Sequence, residues 1–207
     1  MIPAFGKYMT MLYSIFLKPE KFSIYWKRFV DEVIQLGLKS LFIVILMSGF
    51  MGAVLVIQAA SVIESAWIPD YTVGFTVKQS MLLEFCPTII SLILAGKVGS
   101  NIASELGTMR VTEQIDALEV MGVNSIGYLI GPKILASLFI FPVVIMYSMV
   151  FGFLGGGIVC YATEIIPVEQ YIEGIRSFSE DNFGYVRYAL IKTSVFAFLI
   201  TLSLIHI

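Results

Sequence analysis

The sequence predicts an all-α integral membrane protein, and three observations support this fold class. Hydrophobic residues make up 58% of the chain and charged residues 14%, and the mean hydropathy is +0.90. Soluble domains carry nearer a quarter of charged residues, so the composition excludes a soluble domain. Uncharged apolar runs recur along the chain, and lysine and arginine are concentrated in particular connections between these runs.

Charge and cysteine usage exclude several classes of function. The net charge is −2, and no basic stripe is present to neutralise a phosphate backbone, so a nucleic-acid partner is not expected. Cys86 and Cys160 both fall in apolar runs. A thiol in such a run is usually a small buried hydrophobe, so the sequence predicts no metal site and no redox role.

Residues 1–39 are predicted to form an interfacial arm with an amphipathic helix after Pro19. Apolar residues recur there at helical spacing and charged residues fill the other face. The apolar set is Phe22, Trp26, Phe29, Val30, Val33 and Ile34, and the charged set is Lys21, Lys27, Arg28, Asp31 and Glu32. Such a helix lies in the headgroup plane, although a soluble helix packed on a partner would show the same pattern.

Residues 40–207 are predicted to form the transmembrane region of a single domain that covers 1–207. A run of about 20 apolar residues crosses a hydrocarbon core of about 30 Å at about 1.5 Å per residue. Four such spans are expected, at 41–63, roughly 79–104, about 130–162 and from near Gly184 to Ile207. Glu84, Pro87 and Lys97 interrupt the second span, and Pro142 is expected to kink the third.

The placement of lysine and arginine predicts the orientation of the chain. Six of these residues precede residue 40, and Lys97, Arg110 and Lys133 lie in the connection between spans two and three. The segment 163–183 carries only Arg176 against five acidic residues. Since cytoplasmic loops are enriched in lysine and arginine, the N-terminus and the second connection are predicted to be cytoplasmic.

The stretch 94–122 combines a surface of small residues with a short amphipathic helix. Two neighbouring ridges of small residues at four-residue spacing would let another helix approach closely in lipid. They are Ala95, Gly99 and Ala103 on one ridge and Gly96, Ser100 and Ser104 on the other. Gly107 is expected to loosen the chain, Thr108 or Thr112 to cap a new helix, and Gly122 to end it.

That new helix, from about residue 111 to 121, is predicted to be amphipathic. Its apolar face consists of Val111, Ile115, Leu118 and Met121, and its opposite face carries Glu113, Gln114, Asp116 and Glu119, with Arg110 near the start. It would lie across the cytoplasmic ends of the spans. Spacing alone does not separate a docking helix from a solvated connector.

Ionisable residues inside the spans are candidates for function. A charged group in a span is costly unless it faces a cavity or a partner, so Glu84 is expected to border a cavity or to hydrogen-bond a neighbouring helix. Lys97 and Lys192 are expected to extend toward the two membrane surfaces.

One long motif resembles a known family. LAGKVGSNIASELGTMRVTEQIDALEVMGV, which begins at Leu94, is followed by GPKILA at Gly131–Ala136 and preceded by Glu84 and Pro87. Together these segments resemble the signature of the MlaE (YrbE-like) permeases of lipid-transporting ABC systems. The resemblance extends from the arm to near residue 200.

The resemblance implies a set of partners in the bacterial inner membrane. In that family two permease copies pair, each binds a cytoplasmic ATPase that uses ATP and Mg, and a periplasmic MCE-domain protein handles phospholipid. A small STAS-type regulatory subunit is a further partner that the resemblance suggests. The sequence contains no GxxxxGK[ST] phosphate loop, so this chain is expected to bind no cofactor and the energy must come from a partner.

The resemblance also assigns roles to individual residues. The segment from Glu105 to Met121 would be the coupling helix in the ATPase, with contacts from Glu105, Arg110, Glu113, Gln114, Asp116 and Glu119. Gln58, Glu84 and Pro87 would border the lipid path, where an apolar wall would take the tails and a few polar groups the head. Gly96, Gly99 and Ala103 are expected to pack against another helix.

Two features depart from the family pattern. Leu83 precedes Glu84 where relatives commonly carry an arginine, and the chain ends inside its fourth span where relatives continue into a fifth. A chain that lacks a fifth span is therefore expected. A secondary carrier and a structural anchor remain alternatives, although no internal repeat is evident and Glu84 is the only candidate intramembrane acid.

Overall fold

The computed structural model describes residues 22–63, 68–177 and 182–205, and its regular elements are helical throughout. We number the α-helices in chain order. They are α1 Phe22–Val33, α2 Lys39–Val62, α3 Tyr71–Ser80, α4 Ser91–Val111, α5 Gln114–Val120, α6 Ser125–Thr163, α7 Val168–Arg176 and α8 Asn182–Ile205. Two π-helical segments, Ile34–Leu38 and Met81–Ile90, join α1 to α2 and α3 to α4.

Four helices within the described residues are long and apolar enough to cross a membrane. They are Ile24–Val62, Tyr71–Val111, Gly127–Thr163 and Phe183–Thr201. This confirms the predicted all-α membrane fold with four spans and a short helix between spans two and three. The second span is longer than predicted at both ends, and α6 continues as an uninterrupted α-helix through Pro142.

The π-helical segment Met81–Ile90 contains Pro87. Proline has no backbone N–H and crowds the preceding turn, so an α-helical ladder cannot pass through it unchanged. A wider π-helical turn is one way for a helix to accommodate such a residue. The sequence predicted an interruption at this place but not its form.

The described residues form two compact units, and α2, α4, α6 and α8 each contribute residues to both. The first unit contains 22–40, 94–140 and 196–205, and the second contains 41–93, 141–177 and 182–195. The prediction of a single domain over the whole chain stays a prediction.

In the first unit, α1 packs against α6 through aromatic side chains. The ring of Trp26 stacks on that of Phe29 at 5.4 Å, and Phe29 meets Phe139 edge-on at 6.1 Å. The guanidinium of Arg28 lies 3.8 Å from the centre of the Tyr128 ring. These contacts hold the arm on α6 through aromatic and cation–π interactions.

The predicted polar face of the arm is wrong at one residue. Glu32, which we assigned to that face, is buried with 8% exposure. The reason is that Lys133 of α6 supplies a buried cation that draws Glu32 inward. Trp26 and Ile34 of the apolar face are 56% and 43% exposed, which is compatible with a face that contacts lipid. The arm also runs into span one without a loop. Lys21 lies outside the described residues, and Phe22 is described only as the first residue of α1.

In the second unit, glycines bring α2 and α6 into backbone contact. A Cβ on Gly52 would lie 1.8 Å from the carbonyl oxygen of Gly152, and one on Gly155 would lie 2.1 Å from that of Gly49. Any larger side chain at these positions must push the two helices apart. Small residues of this kind are how helices pack closely in a membrane.

The short helix α7 is attached to α3 in the same way. A Cβ on Gly174 would lie 2.1 Å from the carbonyl oxygen of Tyr71. Buried Lys78 of α3 donates to the carbonyl oxygen of Ser177 at 2.5 Å. The hydroxyl of Tyr171 in α7 donates to the carbonyl oxygen of Phe153 in α6 at 3.2 Å. Burial raises the pKa of the Tyr171 phenol, so this hydroxyl remains a donor.

Candidate functional site

The predicted coupling helix is shorter than expected and begins later. Helix α4 continues through Gly107 to Val111, and α5 covers only Gln114–Val120. Glu113 precedes α5 with a positive φ of 55° and makes no side-chain cap hydrogen bond. A turn in the left-handed region, rather than a threonine cap, therefore separates the two helices.

The expected threonine caps are wrong. The Thr108 hydroxyl donates to the carbonyl oxygen of Ser104 at 2.8 Å, and the Thr112 hydroxyl to that of Thr108 at 2.7 Å. Both side chains satisfy the preceding turn of α4 instead of starting α5, which is the usual alternative for threonine within a helix.

The predicted end at Gly122 is confirmed. Gly122 has a φ of 75°. Its N–H donates to the carbonyl oxygen of Glu119 at 2.9 Å, and the N–H of Val123 donates to the carbonyl oxygen of Leu118 at 3.1 Å. This pair of bonds is the Schellman arrangement, in which a residue in the left-handed region closes the helix.

Only part of the predicted apolar face of α5 is packed. Ile115 and Leu118 lie against a buried cluster of α6 residues, which are Leu129, Ile130 and Ile134. In contrast, Val111 and Met121 of the predicted face are 84% and 67% exposed. Val120, which was not assigned to that face, is 89% exposed. One side of α5 therefore packs on α6, and the side chains of Val111, Val120 and Met121 are not covered by any described part of the chain.

The polar residues of the segment differ in how firmly they are held. Arg110 and Asp116 form an ion pair at 3.3 Å, with 68% and 56% of their side chains exposed, so this pair contributes little stability. The Ser125 hydroxyl donates to Glu119 at 3.1 Å. Glu113 and Gln114 are exposed.

Glu105 belongs to a buried cluster of three charges in the first unit. The ammonium of Lys133, whose side chain is 1% exposed, lies 2.6 Å from a carboxylate oxygen of Glu105 and also contacts a carboxylate oxygen of Glu32. The Glu105 side chain is 31% exposed and that of Glu32 11%. We call these residues the Lys133 cluster; it joins α1, the end of α4 and the start of α6.

Gln58 lines a groove of about 270 Å³ in the second unit. The lining is mainly apolar, with Leu55, Val77 and Phe85, and Gln58 is its largest polar side chain. Neither Glu84 nor Pro87 contributes to this lining. An apolar wall with few polar groups matches the chemistry of a lipid.

Glu84 has a partner on another helix. The ammonium of Lys192 lies 2.9 Å from a Glu84 carboxylate oxygen and 3.0 Å from the carbonyl oxygen of Leu83. The Glu84 side chain is 64% exposed and that of Lys192 20%. A carboxylate and a carbonyl thus hold Lys192 beside the π-helical segment in which Pro87 is buried. Its expected extension to a membrane surface stays a prediction.

The predicted packing residues differ in burial. Gly99 is buried, whereas Gly96 and Ala103 are exposed, and a Cβ on Gly96 would meet no atom within 4 Å among the described residues. Gly96 itself therefore has no close neighbour among the described residues. Its packing role toward another chain stays a prediction.

Sequence reasoning missed the cation of the Lys133 cluster and the partner of Glu84. Lys133 is the last charged residue before a run that stays uncharged until Glu164, and Lys192 is the only lysine after residue 133. A charge isolated in this way at the edge of or inside a span needs a partner, and this signal could have identified both residues. Among the described residues, no group of three potential metal ligands occurs.

Comparison with known proteins gives consistent results. A profile of the family Permease MlaE matches residues 29–206. A probable ABC transporter permease protein of Rickettsia bellii is 32% identical over 86% of this chain and 68% of its own length. The intermembrane phospholipid transport system permease protein MlaE of Haemophilus influenzae is 30% identical over 75% of this chain and 59% of its own length. The chloroplastic protein TRIGALACTOSYLDIACYLGLYCEROL 1 of Arabidopsis thaliana is 32% identical over 67% of this chain and 39% of its own length.

Proposed function

Since the chain belongs to the MlaE permease family, we propose that it is the membrane-spanning subunit of an ABC transporter that moves phospholipids between the inner membrane and the periplasmic pathway to the outer membrane. The observation that carries this proposal is the short helix α5, which is fixed to α6 on one side and exposes Val120 and Met121 on the other. Exposed apolar side chains on a firmly attached helix suit a protein–protein contact.

The energy source in this proposal is a separate ATPase. Closure of two ATPase subunits around ATP and Mg would displace the segment from Arg110 to Met121. The Lys133 cluster supports this role, because it ties the end of α4, directly before that segment, to the start of α6 and to the arm. A displacement of α5 would then act on several helices rather than on a loose loop.

The same proposal includes the other partners that the family resemblance implies. Two permease copies would pair, with an MCE-domain protein on the periplasmic side and a small STAS-type subunit as a regulator. The inner membrane is the proposed location, with the N-terminus and α5 in the cytoplasm. The lysine and arginine distribution supports this orientation.

The groove beside Gln58 is the proposed contact for a lipid tail and glycerol region. Its lining of Leu55, Val77 and Phe85 provides the apolar wall, and the Gln58 amide provides hydrogen bonds. Glu84 and Pro87 would act beside it through the π-helical segment, with the charge of Glu84 balanced by Lys192.

Association with the ATPase is the test of the docking role. Glu113→Lys and Val120→Glu should each weaken recovery of the ATPase with the permease about ten-fold, since interface residues that matter contribute about 1–2 kcal/mol. Glu164→Lys is the matched control, because Glu164 is also an exposed glutamate with a positive φ, of 52°, but lies between α6 and α7. Equal recovery of the ATPase with all three variants would contradict the docking role.

Reconstitution separates the transporter from the alternatives. The assembly with this subunit should show ATPase activity that depends on phospholipid, and omission of the subunit should abolish that dependence. A secondary carrier would instead move lipid without the ATPase, and a structural anchor would leave ATPase activity independent of lipid.

A further inference from the structure

A second groove lies in the first unit, and nothing above assigns it a ligand. It has a volume of about 440 Å³ and is formed by the end of the arm and the middle of α4. The polar side chains that line it include Gln35, Lys39, Lys97, Ser100, Asn101 and Ser104. This groove shares no residue with the groove beside Gln58.

The charge of this groove is positive. Lys39 and Lys97 contribute two ammonium groups, and none of the nine described residues that line the groove is acidic. The two carboxylates nearest in sequence, Glu32 and Glu105, are bound to Lys133 instead. The lysine charges therefore have no counter-ion in the lining itself.

The donors in the groove are suited to an anion with several oxygen atoms. The Lys97 ammonium uses one donor on the carbonyl oxygen of Lys39 and retains two others. The Nδ2 atom of Asn101 is buried without an acceptor among the described residues, and its Oδ1 accepts from Gln35 at 3.5 Å. An unpaired buried donor is unfavourable. A turn of the Asn101 amide that gives up the long contact with Gln35 would present this donor to an anion oxygen in the groove.

A second copy of this chain is a less suitable occupant. In a two-fold symmetric contact the same patch meets itself, so Lys39 and Lys97 would face their own equivalents. Like charges brought together at an interface are unfavourable. Basic pockets between membrane helices, in contrast, are known to bind phosphate-bearing lipid headgroups.

We propose that the groove lined by Lys39, Lys97 and Asn101 binds a phosphate group, carried either by an anionic phospholipid of the surrounding leaflet or by a free phosphate ion. The two lysines neutralise the anion, and the amide and hydroxyl groups orient it. This site goes beyond the proposed function and does not depend on transport, because a protein of any role with this groove would bind the same group.

A thiol protection experiment on the full chain in nanodiscs tests the site. Ser104 is exposed in the groove, and both native cysteines are buried, so Ser104→Cys should be the main site of reaction with a neutral polar maleimide. Phosphatidylglycerol added to phosphatidylcholine nanodiscs should slow this reaction. In pure phosphatidylcholine nanodiscs, slower labelling on addition of inorganic phosphate would show that the free ion binds the groove.

Lysine variants show whether the groove itself is responsible. In the Ser104→Cys background, Lys39→Gln and Lys97→Gln should each raise the half-protecting concentration of the anion about five-fold, from the usual contribution of one lysine near an anionic group. Lys27→Gln is the matched control, since Lys27 is an exposed lysine of the arm outside the groove. It should leave protection unchanged.

Each outcome decides the matter. Protection by either anion that is weakened about five-fold in Lys39→Gln and in Lys97→Gln supports the site, and the anion that protects identifies the source. Equal labelling in all lipids and with phosphate overturns it. So does protection in pure phosphatidylcholine without added phosphate that equals the protection with phosphatidylglycerol, since it would not depend on an anionic lipid. An equal effect of Lys27→Gln overturns the site as well, as does equal protection in a Thr108→Cys variant, whose exposed position lies outside the groove, because either would mean a general effect of surface charge.

Discussion

Replacement of Lys133 by methionine should destabilise the protein strongly. Methionine keeps most of the volume and the flexible stem of lysine but removes the ammonium that holds Glu32 and Glu105. The Glu32 side chain is only 11% exposed, so water can hydrate its carboxylate poorly after the cation is gone. Glu105, with 31% of its side chain exposed, would be affected much less.

The magnitude follows from this burial. Removal of one partner from a buried ion pair costs about 3–5 kcal/mol, because the remaining charge stays buried without compensation. The variant Lys133→Met should therefore lose about that much of its free energy of unfolding. Removal of both charges is often neutral, so Glu32→Met combined with Lys133→Met should recover much of the loss.

Equilibrium unfolding in mixed micelles, with helicity as the signal, measures these differences. Lys27→Met is the control, because Lys27 is exposed on the same arm and such surface changes stay within about 0.5 kcal/mol. The reasoning is refuted if Lys133→Met unfolds within about 1 kcal/mol of Lys27→Met. It is also refuted if the double variant is less stable than Lys133→Met alone.

Four further changes probe the packing and the turns by the same unfolding titration. Gly52→Ala should lower the free energy of unfolding by about 1–3 kcal/mol, since its Cβ would lie 1.8 Å from the Gly152 carbonyl oxygen. Gly96→Ala is the comparison: its Cβ would meet no described atom within 4 Å, so this change should raise the free energy of unfolding by up to about 1 kcal/mol. Tyr171→Phe should cost about 1 kcal/mol through the lost 3.2 Å hydrogen bond to a carbonyl of α6; no loss would show that this bond is not formed. Gly122→Ala should cost about 1 kcal/mol because φ is 75° there, and an unchanged midpoint would argue against the left-handed turn.

Features that depend on local pattern could be predicted from the sequence. The four spans follow from long apolar runs, and the end of α5 at Gly122 follows from the conformational freedom of glycine. The position of a helix between spans two and three was also predicted. Each of these signals lies within about one helix length of the residues that it concerns.

Features that depend on distant partners could not be predicted. Glu32 was placed on the outer face because helical spacing contains no information about Lys133, which is 101 residues away. Glu84 and Lys192 are likewise separated by 108 residues. The start of α5 was wrong for a different reason, since a threonine hydroxyl can satisfy the preceding turn as well as cap the next helix.

The glycine contact between α2 and α6 has a consequence for how stability changes with temperature. In lipid, separation of Gly52 from Gly152 would expose these backbones to acyl chains rather than to water. Apolar hydration, which gives soluble cores their large heat capacity of unfolding and weakens them on cooling, is then largely absent. The adhesion of these two helices rests on close atomic contact, and it should persist in the cold where a water-driven interface of similar size would loosen.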